Sequence, residues 1–231
     1  IEESADQRYP DALLQFALTY KEGTLERDES KYMYYLKEAA DVGHESAQRI
    51  LGVSYRECSN EKEHLHYTTL AASQGNYEAC CLLGQHFLNA DCGLPKSLIL
   101  VKHYSEKSLE HDEKEGDPIF AYILSCALLQ LGKERYEEIM EIPGHSPIPK
   151  SLYWARKALK KDATVKSNDH VTELISMVEN EAKSHCTNCR KEAGSSPLKR
   201  CIRCLGAWYC GKECQVQHWK AGHKVDCIKR K

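Results

Sequence analysis

The sequence predicts a mostly α-helical protein, in which a helical-repeat solenoid is followed by a small cysteine-rich module. Two observations lead to this prediction. Small and large apolar residues recur at fixed spacing through most of the 231 residues, whereas cysteine and histidine are concentrated near the C-terminus. Recurring apolar spacing is typical of stacked helices, and short Cys/His spacing is typical of ligand sets.

The repeat becomes visible when four alanines are aligned, Ala12, Ala47, Ala79 and Ala121. A small residue stands five positions after each alanine, and a large residue stands eight positions after it. The small residues are Ala17, Gly52, Gly84 and Cys126, and the large ones are Tyr20, Tyr55, Phe87 and Leu129. These offsets fall on one side of a helix, so each unit offers a small residue for close approach and a bulky one to fill the next groove.

A second helical pattern follows the first in each unit. It ends with a pair of alanines and then a glycine, Gly43 in one unit and Gly75 in the next. We expect both glycines in the left-handed conformation that ends helices, because other residues resist it. These helix-turn-helix pieces resemble Sel1-like repeats, which are related to tetratricopeptide (TPR) repeats. The resemblance implies that the units stack into a solenoid.

The predicted repeat domain spans residues 1–183. Its units lie near 10–43, 44–75 and 76–116, with a degenerate unit at 117–162 and a closing helix at 168–183. The fourth unit lacks glycine at the packing position, and a break at Pro143-Gly144 to Pro149 precedes its second helix, which we expect from Ser151 to Lys161.

Eight residues near the C-terminus form four pairs, which is what two tetrahedral zinc sites need. The pairs are Cys186 and Cys189, Cys201 and Cys204, Cys210 and Cys214, and His223 and Cys227. The first two pairs have the Cys-x-x-Cys spacing of tight turns, and the last two are four residues apart, as on one face of a helix. A short strand is expected around Trp208. Sites saturated with four such ligands are structural rather than catalytic.

The sequence offers two alternatives to this ligand set. Disulfides are disfavoured because the run holds seven cysteines, an odd number, with a histidine at helical spacing. His218 lies four residues after Cys214 and is a rival to His223 as a ligand. The five other cysteines are expected to be buried apolar residues of an intracellular, reducing compartment, without distinguishing cytoplasm from nucleus. They are Cys58, Cys80, Cys81, Cys92 and Cys126.

The segment from Tyr209 to Cys227 resembles the MYND zinc finger, including the tyrosine before the fifth ligand, the glutamine after the sixth and Trp219. The resemblance implies a two-zinc, cross-braced finger over residues 184–231. One zinc would be held by Cys186, Cys189, Cys210 and Cys214, and the other by Cys201, Cys204, His223 and Cys227. Spacing alone does not choose this pairing over a sequential one.

MYND fingers also bind short proline-containing peptides, so the resemblance implies protein partners. Matching positions assign the peptide contacts to Gln215 and Trp219, which are four residues apart on one helical face. Trp219 would supply an apolar platform, and Gln215 a hydrogen bond to the peptide backbone. The alternative is that Trp219 only fills the interior of the finger.

Charge divides the chain at the same place as the motifs. Residues 184–231 contain 11 Lys and Arg against 3 Asp and Glu, and the preceding part contains 21 against 31. A basic finger allows contact with nucleic acid, but no helix carries an evident set of base-reading residues. No apolar run approaches the length of a membrane span. Because the chain begins at Ile1, we expect the natural N-terminus to lie further upstream.

The expected function is that of a non-catalytic interaction adaptor with two structural Zn²⁺. His64-x-His66 and the His111-Asp112 pair could form a further metal site or an acid/base pair, but their charged surroundings predict a solvated face or loop. No SET-domain motif is found. The alternatives are a regulatory fragment of a larger MYND-containing enzyme, such as a SET-type methyltransferase, or a nucleic-acid-associated regulator.

Overall fold

The computed structural model describes residues 9–22, 27–110, 118–134, 147–161, 168–194, 197–224 and 227. Helices account for most of this structure. They are α1 Pro10–Glu22, α2 Glu29–Asp41, α3 Glu45–Glu57, α4 Glu61–Ser73, α5 Tyr77–Asn89, α6 Leu98–Glu110, α7 Pro118–Glu134, α8 Pro147–Lys161, α9 Asn168–Ser184 and α10 Lys212–His218. Within the described residues, no helix is long and apolar enough to cross a bilayer.

The chain divides into two compact units, Ile1–Lys96 and Ser97–Lys231. In the first unit, α1 packs against α2, α2 against α3, α3 against α4, and α4 against α5. Their shared core is formed by aliphatic and aromatic side chains, among them Leu13, Phe16, Tyr32, Leu36, Leu51 and Tyr67. A single helix of about thirteen residues cannot bury its own apolar face. Each helix therefore packs against its neighbour in sequence, which buries the apolar faces of both.

Turn chemistry fixes where these helices begin and end. Gly43 and Gly75 have φ angles of 96° and 92°, so the predicted left-handed glycines are confirmed. Four of the helices are capped by a side chain that accepts a hydrogen bond from the backbone N–H three residues on, which satisfies an otherwise unpaired donor. These caps are Asp28, His44, Asn60 and Asn76.

Gly52 allows α3 to approach α4 closely, as its small size predicts. A methyl group at this position would lie 2.7 Å from Oγ1 of Thr68 and 3.2 Å from the Thr68 backbone nitrogen. Such distances are shorter than van der Waals contact, so only glycine fits without displacing α4.

The second unit contains helices α6 to α9 and the cysteine-rich segment. Helices α7 and α8 are joined by a reciprocal pair of buried hydrogen bonds. Ser125 Oγ donates to the Ser151 carbonyl at 2.9 Å, and Ser151 Oγ donates to the Ser125 carbonyl at 2.8 Å. The repeat pattern pointed to the adjacent Cys126, which is only half-buried.

Helix α8 begins at Pro147, four residues before the predicted start at Ser151. The prediction was wrong because it placed Pro147 and Pro149 in a break before the helix. Proline is tolerated in the first turn of a helix, where the backbone N–H has no intrahelical partner. Pro143 and Gly144 lie outside the described residues.

The closing helix is present as α9. It belongs to the second compact unit, which also contains the cysteine-rich segment. The division between the compact units lies after Lys96, inside the third predicted repeat. The boundary predicted between residues 183 and 184 stays a prediction.

Candidate metal centre

Both Cys-x-x-Cys pairs lie in turns of the same construction. Cys186 N–H donates to the Lys191 carbonyl at 2.8 Å, and its carbonyl accepts from Arg190 N–H at 2.9 Å. Cys201 makes the equivalent bonds with Ala207 and Leu205 at 2.8 and 2.9 Å. In each turn the fourth residue after the first cysteine is left-handed, with φ of 61° at position 190 and 58° at position 205.

A two-stranded antiparallel ribbon supports the second turn. It consists of β1 Lys199–Arg200 and β2 Trp208–Tyr209, with Lys199 opposite Tyr209. The strand expected around Trp208 is thereby confirmed. Cys210 follows β2 directly, so the ribbon fixes both the second turn and the start of the next pair.

The other two pairs are not fully helical, which corrects the prediction. Cys214 lies in α10, but Cys210 precedes the extended N-cap Gly211, which has φ of −166°. His223 ends a π-helical turn, Trp219–His223, whose Gly222 has φ of 139°. Cys227 itself is not helical. The directions of these four side chains are therefore set partly by non-helical backbone next to the helices and not by helical spacing alone.

The eight side chains lie in two groups of four, and within each group the potential ligand atoms lie within 4.8 Å of one another. One group is Cys186, Cys189, Cys210 and Cys214, and the other is Cys201, Cys204, His223 and Cys227. Each group combines one turn pair with one later pair, which is the arrangement that the resemblance implied and that spacing left open.

Distances within the groups suit zinc. Sγ atoms are 3.7 Å apart between Cys189 and Cys210, 3.4 Å between Cys210 and Cys214, and 3.8 Å between Cys201 and Cys227. Zn–S bonds of about 2.3 Å give a tetrahedral edge of about 3.8 Å. None of the described cysteines forms a disulfide, whose sulfurs would be about 2.05 Å apart. The two clusters could therefore hold two metal ions.

Thiolate formation is assisted by the backbone around the first group. Burial opposes ionisation of Cys186, but hydrogen bonds from the backbone of Cys189, Cys210 and Asn188 outweigh it and lower the pKa of Cys186 to about 7. In the second group, the hydrogen bond between Cys201 and Cys204 lowers the pKa of Cys201 and raises that of Cys204. Metal ligation requires the thiolate form, so one ligand in each group is already disposed toward it.

His218 is held apart from the second group by Tyr209. Its Nδ1 lies 2.9 Å from the Tyr209 hydroxyl, and its ring stacks on His223 at a centroid distance of 4.7 Å. Burial and the neighbouring thiols raise the pKa of Tyr209, so the hydroxyl keeps its proton for this contact. The group of four therefore contains His223 and not its rival.

The two predicted peptide contacts, Gln215 and Trp219, are both partly exposed. Trp219 packs on the buried cluster of the cysteine-rich module, with its ring 6.0 Å from that of His223. The Arg203 guanidinium lies 5.8 Å from the Trp219 ring centre. The neighbouring Ile202 is 90% exposed. One part of the indole is thus fixed by the interior, and the rest faces outward.

Sequence reasoning missed how the cysteine-rich module packs on α8. Arg156 Nη1 donates to the Cys204 carbonyl at 3.5 Å, and its Nη2 bonds Glu179 at 2.8 Å. A methyl group at Gly206 would lie 3.4 Å from the Pro149 backbone, so the turn lies directly against the start of α8. Gly206, two residues after Cys204, is the feature of the sequence that could have indicated this close approach.

Two further expectations need correction. Cys58 is exposed, whereas it was expected to be buried. His66 is exposed as predicted, but His64 is fully buried, because the two lie on opposite sides of α4. His111 and Asp112 lie outside the described residues.

Comparison with known protein families settles what the module is. Residues 186–227 match the MYND finger family. MYND fingers bind zinc, and the matched segment contains both groups of four ligands. Ubiquitin carboxyl-terminal hydrolase 15 of Arabidopsis thaliana is 33% identical to this chain over 55 residues, which are 24% of this chain and 6% of that protein. The chain thus covers a small fraction of this curated relative.

Two solved structures with Sel1-like repeats are similar to this chain. A protective antigen of uropathogenic Escherichia coli strains, which displays an SLR (Sel1-like repeat) fold, has a TM-score of 0.50 and 17% identity. That match covers 99% of this chain and 40% of the antigen. A Sel1 repeat protein from Oxalobacter formigenes has a TM-score of 0.49 and 17% identity, covering 76% of this chain and 74% of that one. At 17% identity the first of these matches concerns the fold alone, and that fold is a Sel1-like repeat.

Proposed function

We propose that this protein is a non-catalytic interaction adaptor whose MYND finger binds short proline-containing peptides. MYND fingers and Sel1-like repeats are protein-interaction modules, so a protein partner is the first expectation. The finger's two zincs are assigned a structural role, each held by one of the two groups of four side chains. Four protein ligands fill a tetrahedral site and leave no position for a substrate.

The partial burial of Trp219 carries the proposal. A tryptophan needed only to fill the interior would be enclosed, whereas this one packs on the finger cluster and remains partly exposed. An indole fixed on one side gives a rigid apolar surface that loses little side-chain entropy on binding. Proline-rich peptides suit such a surface because they are extended before they bind.

The surroundings of Trp219 support a peptide rather than a small ligand. Gln215 lies one helical turn earlier, where its amide can pair with an extended backbone. The Arg203 guanidinium lies 5.8 Å from the centre of the indole ring, and Ile202, the residue before Arg203, exposes its apolar side chain. Apolar side chains beside polar groups suit a short peptide, which offers both apolar side chains and backbone hydrogen-bonding groups.

The test is a binding titration of the full-length chain with a proline-containing peptide selected from a display library, repeated with alanine in place of its proline. Trp219→Ala should weaken binding at least about tenfold, because aromatic anchors dominate such interfaces. Gln215→Ala should have a smaller effect. Lys212→Ala, at an exposed position at the start of α10, is the matched control and should bind like the wild type.

Zinc content must be measured for every variant, because loss of the finger would also abolish binding. A Trp219→Ala protein that keeps its zinc and binds the peptide with full affinity would contradict the proposed role. Equal affinity for the proline and alanine peptides would contradict the peptide class while leaving the docking surface in place.

A second candidate is a regulatory part of a larger enzyme. The match to a hydrolase of which this chain covers 6% favours it, because 55 residues of this chain are similar to part of a much longer protein. Sequencing the full transcript separates the two candidates, since only the second requires a catalytic domain in the same polypeptide. Either protein would need a reducing compartment to keep the finger's thiolates available to zinc.

A further inference from the structure

Two buried histidines contact each other in the first compact unit, far in sequence from the finger. His64 on α4 is 0% exposed and His86 on α5 is 2% exposed. Their Nε2 atoms are 2.8 Å apart, and the rings are nearly perpendicular at 81°. Buried polar atoms are almost always matched to a partner, so the hydrogens of this contact can be assigned.

The other nitrogen of each ring faces an acceptor. His64 Nδ1 lies 2.7 Å from the Gly52 carbonyl, and His86 Nδ1 lies 3.2 Å from Oδ2 of Asp91. Carbonyl and carboxylate oxygens only accept, so a hydrogen on each Nδ1 satisfies both of these contacts. In that pair of tautomers each neutral ring presents its lone pair at Nε2, and a cation between the two Nε2 atoms would satisfy both lone pairs. The neutral alternative is a thiol hydrogen of Cys92 donated to His86 Nδ1, with His86 Nε2–H donating to His64 Nε2.

A third donor lies beside the two rings. Cys92 Sγ is 3.7 Å from His86 Nδ1, and potential ligand atoms of His64, His86 and Cys92 all lie within 4.8 Å of one another. The turn after α5 brings it there. Ala90 and Cys92 are left-handed, with φ of 56° and 52°, and Asp91 N–H donates back to the His86 carbonyl at 3.0 Å.

We propose that His64 Nε2, His86 Nε2 and Cys92 Sγ bind a third metal ion of the zinc class, separate from the finger, with Sγ turned from its contact at His86 Nδ1 toward Nε2. Imidazole and thiolate are the ligands that such ions prefer. Three protein ligands leave a fourth position for water on the half-exposed side of Cys92. The site does not rest on the proposed peptide binding.

The neighbours of the rings are those expected around metal-binding histidines. Such a histidine usually donates its second N–H to a carbonyl or carboxylate, which fixes the ring and raises its basicity. The Gly52 carbonyl and the Asp91 carboxylate occupy these positions. With Zn–N bonds of about 2.0–2.1 Å, the tetrahedral N–N edge is about 3.3 Å, so the rings separate by about half an ångström when the ion enters.

The ion would connect three pieces of the repeat structure. His64 belongs to α4, which Gly52 allows to lie against α3, and His86 and Cys92 belong to α5 and the turn after it. Binding would therefore stabilise the folded first unit in proportion to metal concentration, since the unfolded chain holds no preformed site.

The test is cobalt uptake by the full-length protein after its finger has been loaded with zinc. Native mass spectrometry identifies the species with two zincs and one cobalt, and visible absorption reports tetrahedral coordination with thiolate. We expect one cobalt per chain in the wild type. Cys92→Ser and His86→Gln should each weaken cobalt binding at least about tenfold, which is the effect of losing even an outer-shell partner.

Matched controls exist in the same unit. His66→Gln and Cys58→Ser change an exposed histidine and an exposed cysteine and should bind cobalt like the wild type. Melting curves guard against misfolding. Without cobalt, Cys92→Ser should melt with the wild type, and only the wild type should melt higher when cobalt is added.

Two results would overturn the proposal. One is a wild-type chain that binds no metal beyond the finger, which would leave a shared proton as the bridge between the rings. The other is equal cobalt affinity in the wild type and both variants. Neither result affects the peptide titration, so failure here is distinguishable from failure of the adaptor function.

Discussion

The Tyr209 hydroxyl lies 2.9 Å from Nδ1 of His218, and this contact separates two histidines that the sequence left as rivals. His218 is committed to Tyr209 and stacks on His223, whose Nε2 lies 3.7 Å from Cys204 Sγ. His218 therefore lies outside the second group of four and packs on it, whereas His223 belongs to the group. The two should respond differently to substitution.

His223→Ala should bind one zinc fewer than the wild type, because its group loses a ligand. His218→Ala should keep the wild-type zinc count, but its finger should lose zinc to a chelator more readily, because an outer-shell contact is gone. Native mass spectrometry of both variants measures this. Retention of every zinc by His223→Ala, with loss in His218→Ala, would reverse the assignment.

Removal of zinc should unfold residues 186–227 and leave helices α1 to α5 folded. A finger of this size buries too little apolar surface to fold alone, and structural zinc contributes on the order of 10 kcal/mol of apparent folding free energy. Hydrogen exchange measured with and without excess chelator should show new exchange in the finger and continued protection in Leu36 and Leu51, which are fully buried. Protection of the finger in chelator would contradict this.

Gly52→Ala should lower the free energy of unfolding by about 1–3 kcal/mol, because the added methyl would overlap Thr68 and force α3 from α4. Urea denaturation provides the measurement. Gly194→Ala is the matched control, since a methyl group there meets nothing within 4 Å. Equal losses in the two variants would mean that the close approach is not what Gly52 provides.

Tyr67→Phe should lower stability near neutral pH by about 1.5 kcal/mol, because its hydroxyl donates to the Asp41 carboxylate at 2.9 Å. Burial opposes ionisation of Asp41, but hydrogen bonds from Lys37 and Tyr67 outweigh it and lower its pKa below 3.8. The contribution is therefore present above that value and is lost as pH falls through the lowered pKa. The difference between wild type and variant should shrink in acid.

The same contact predicts an alkaline limit. Burial and the bond to Asp41 raise the pKa of Tyr67 to about 12, so its stabilising effect is complete below 10 and is lost as pH rises from 10 toward 12. Unfolding titrations of wild type and Tyr67→Phe across both pH windows test the linkage. Tyr34→Phe, which changes an exposed tyrosine, should track the wild type throughout.

Local rules predicted most of the helical part. Gly43 and Gly75 end helices as expected, because glycine adopts the left-handed conformation more readily than other residues do. The close approach at Gly52 was predictable because the residue is small and recurs at the packing position of the repeat. Pro147 misled the prediction because proline both breaks helices and begins them, and the sequence does not say which. The buried state of His64 could not be predicted, because it depends on the Gly52 carbonyl and on His86 in the next predicted repeat.

The ligands of the finger were predictable as a set, but their partners were not. Pair spacing requires a turn or a helix for each pair and says nothing about which turn meets which helix. The pairing depends on the two-stranded ribbon, in which Lys199 lies opposite Tyr209. Cys210 follows this ribbon and lies apart from the turn of the second Cys-x-x-Cys pair. Contact between Gly206 and α8 likewise depends on tertiary packing that no local pattern encodes.

Cysteine alkylation in the Cys186→Ser variant tests the central account, a cross-braced finger, most directly. Loss of one ligand should release the zinc it shares, so mass spectrometry should find Cys189, Cys210 and Cys214 newly alkylated. The cysteines of the other group, Cys201, Cys204 and Cys227, should stay protected. Modification of Cys201 and Cys204 with Cys210 and Cys214 still protected would contradict the crosswise pairing and establish a sequential one.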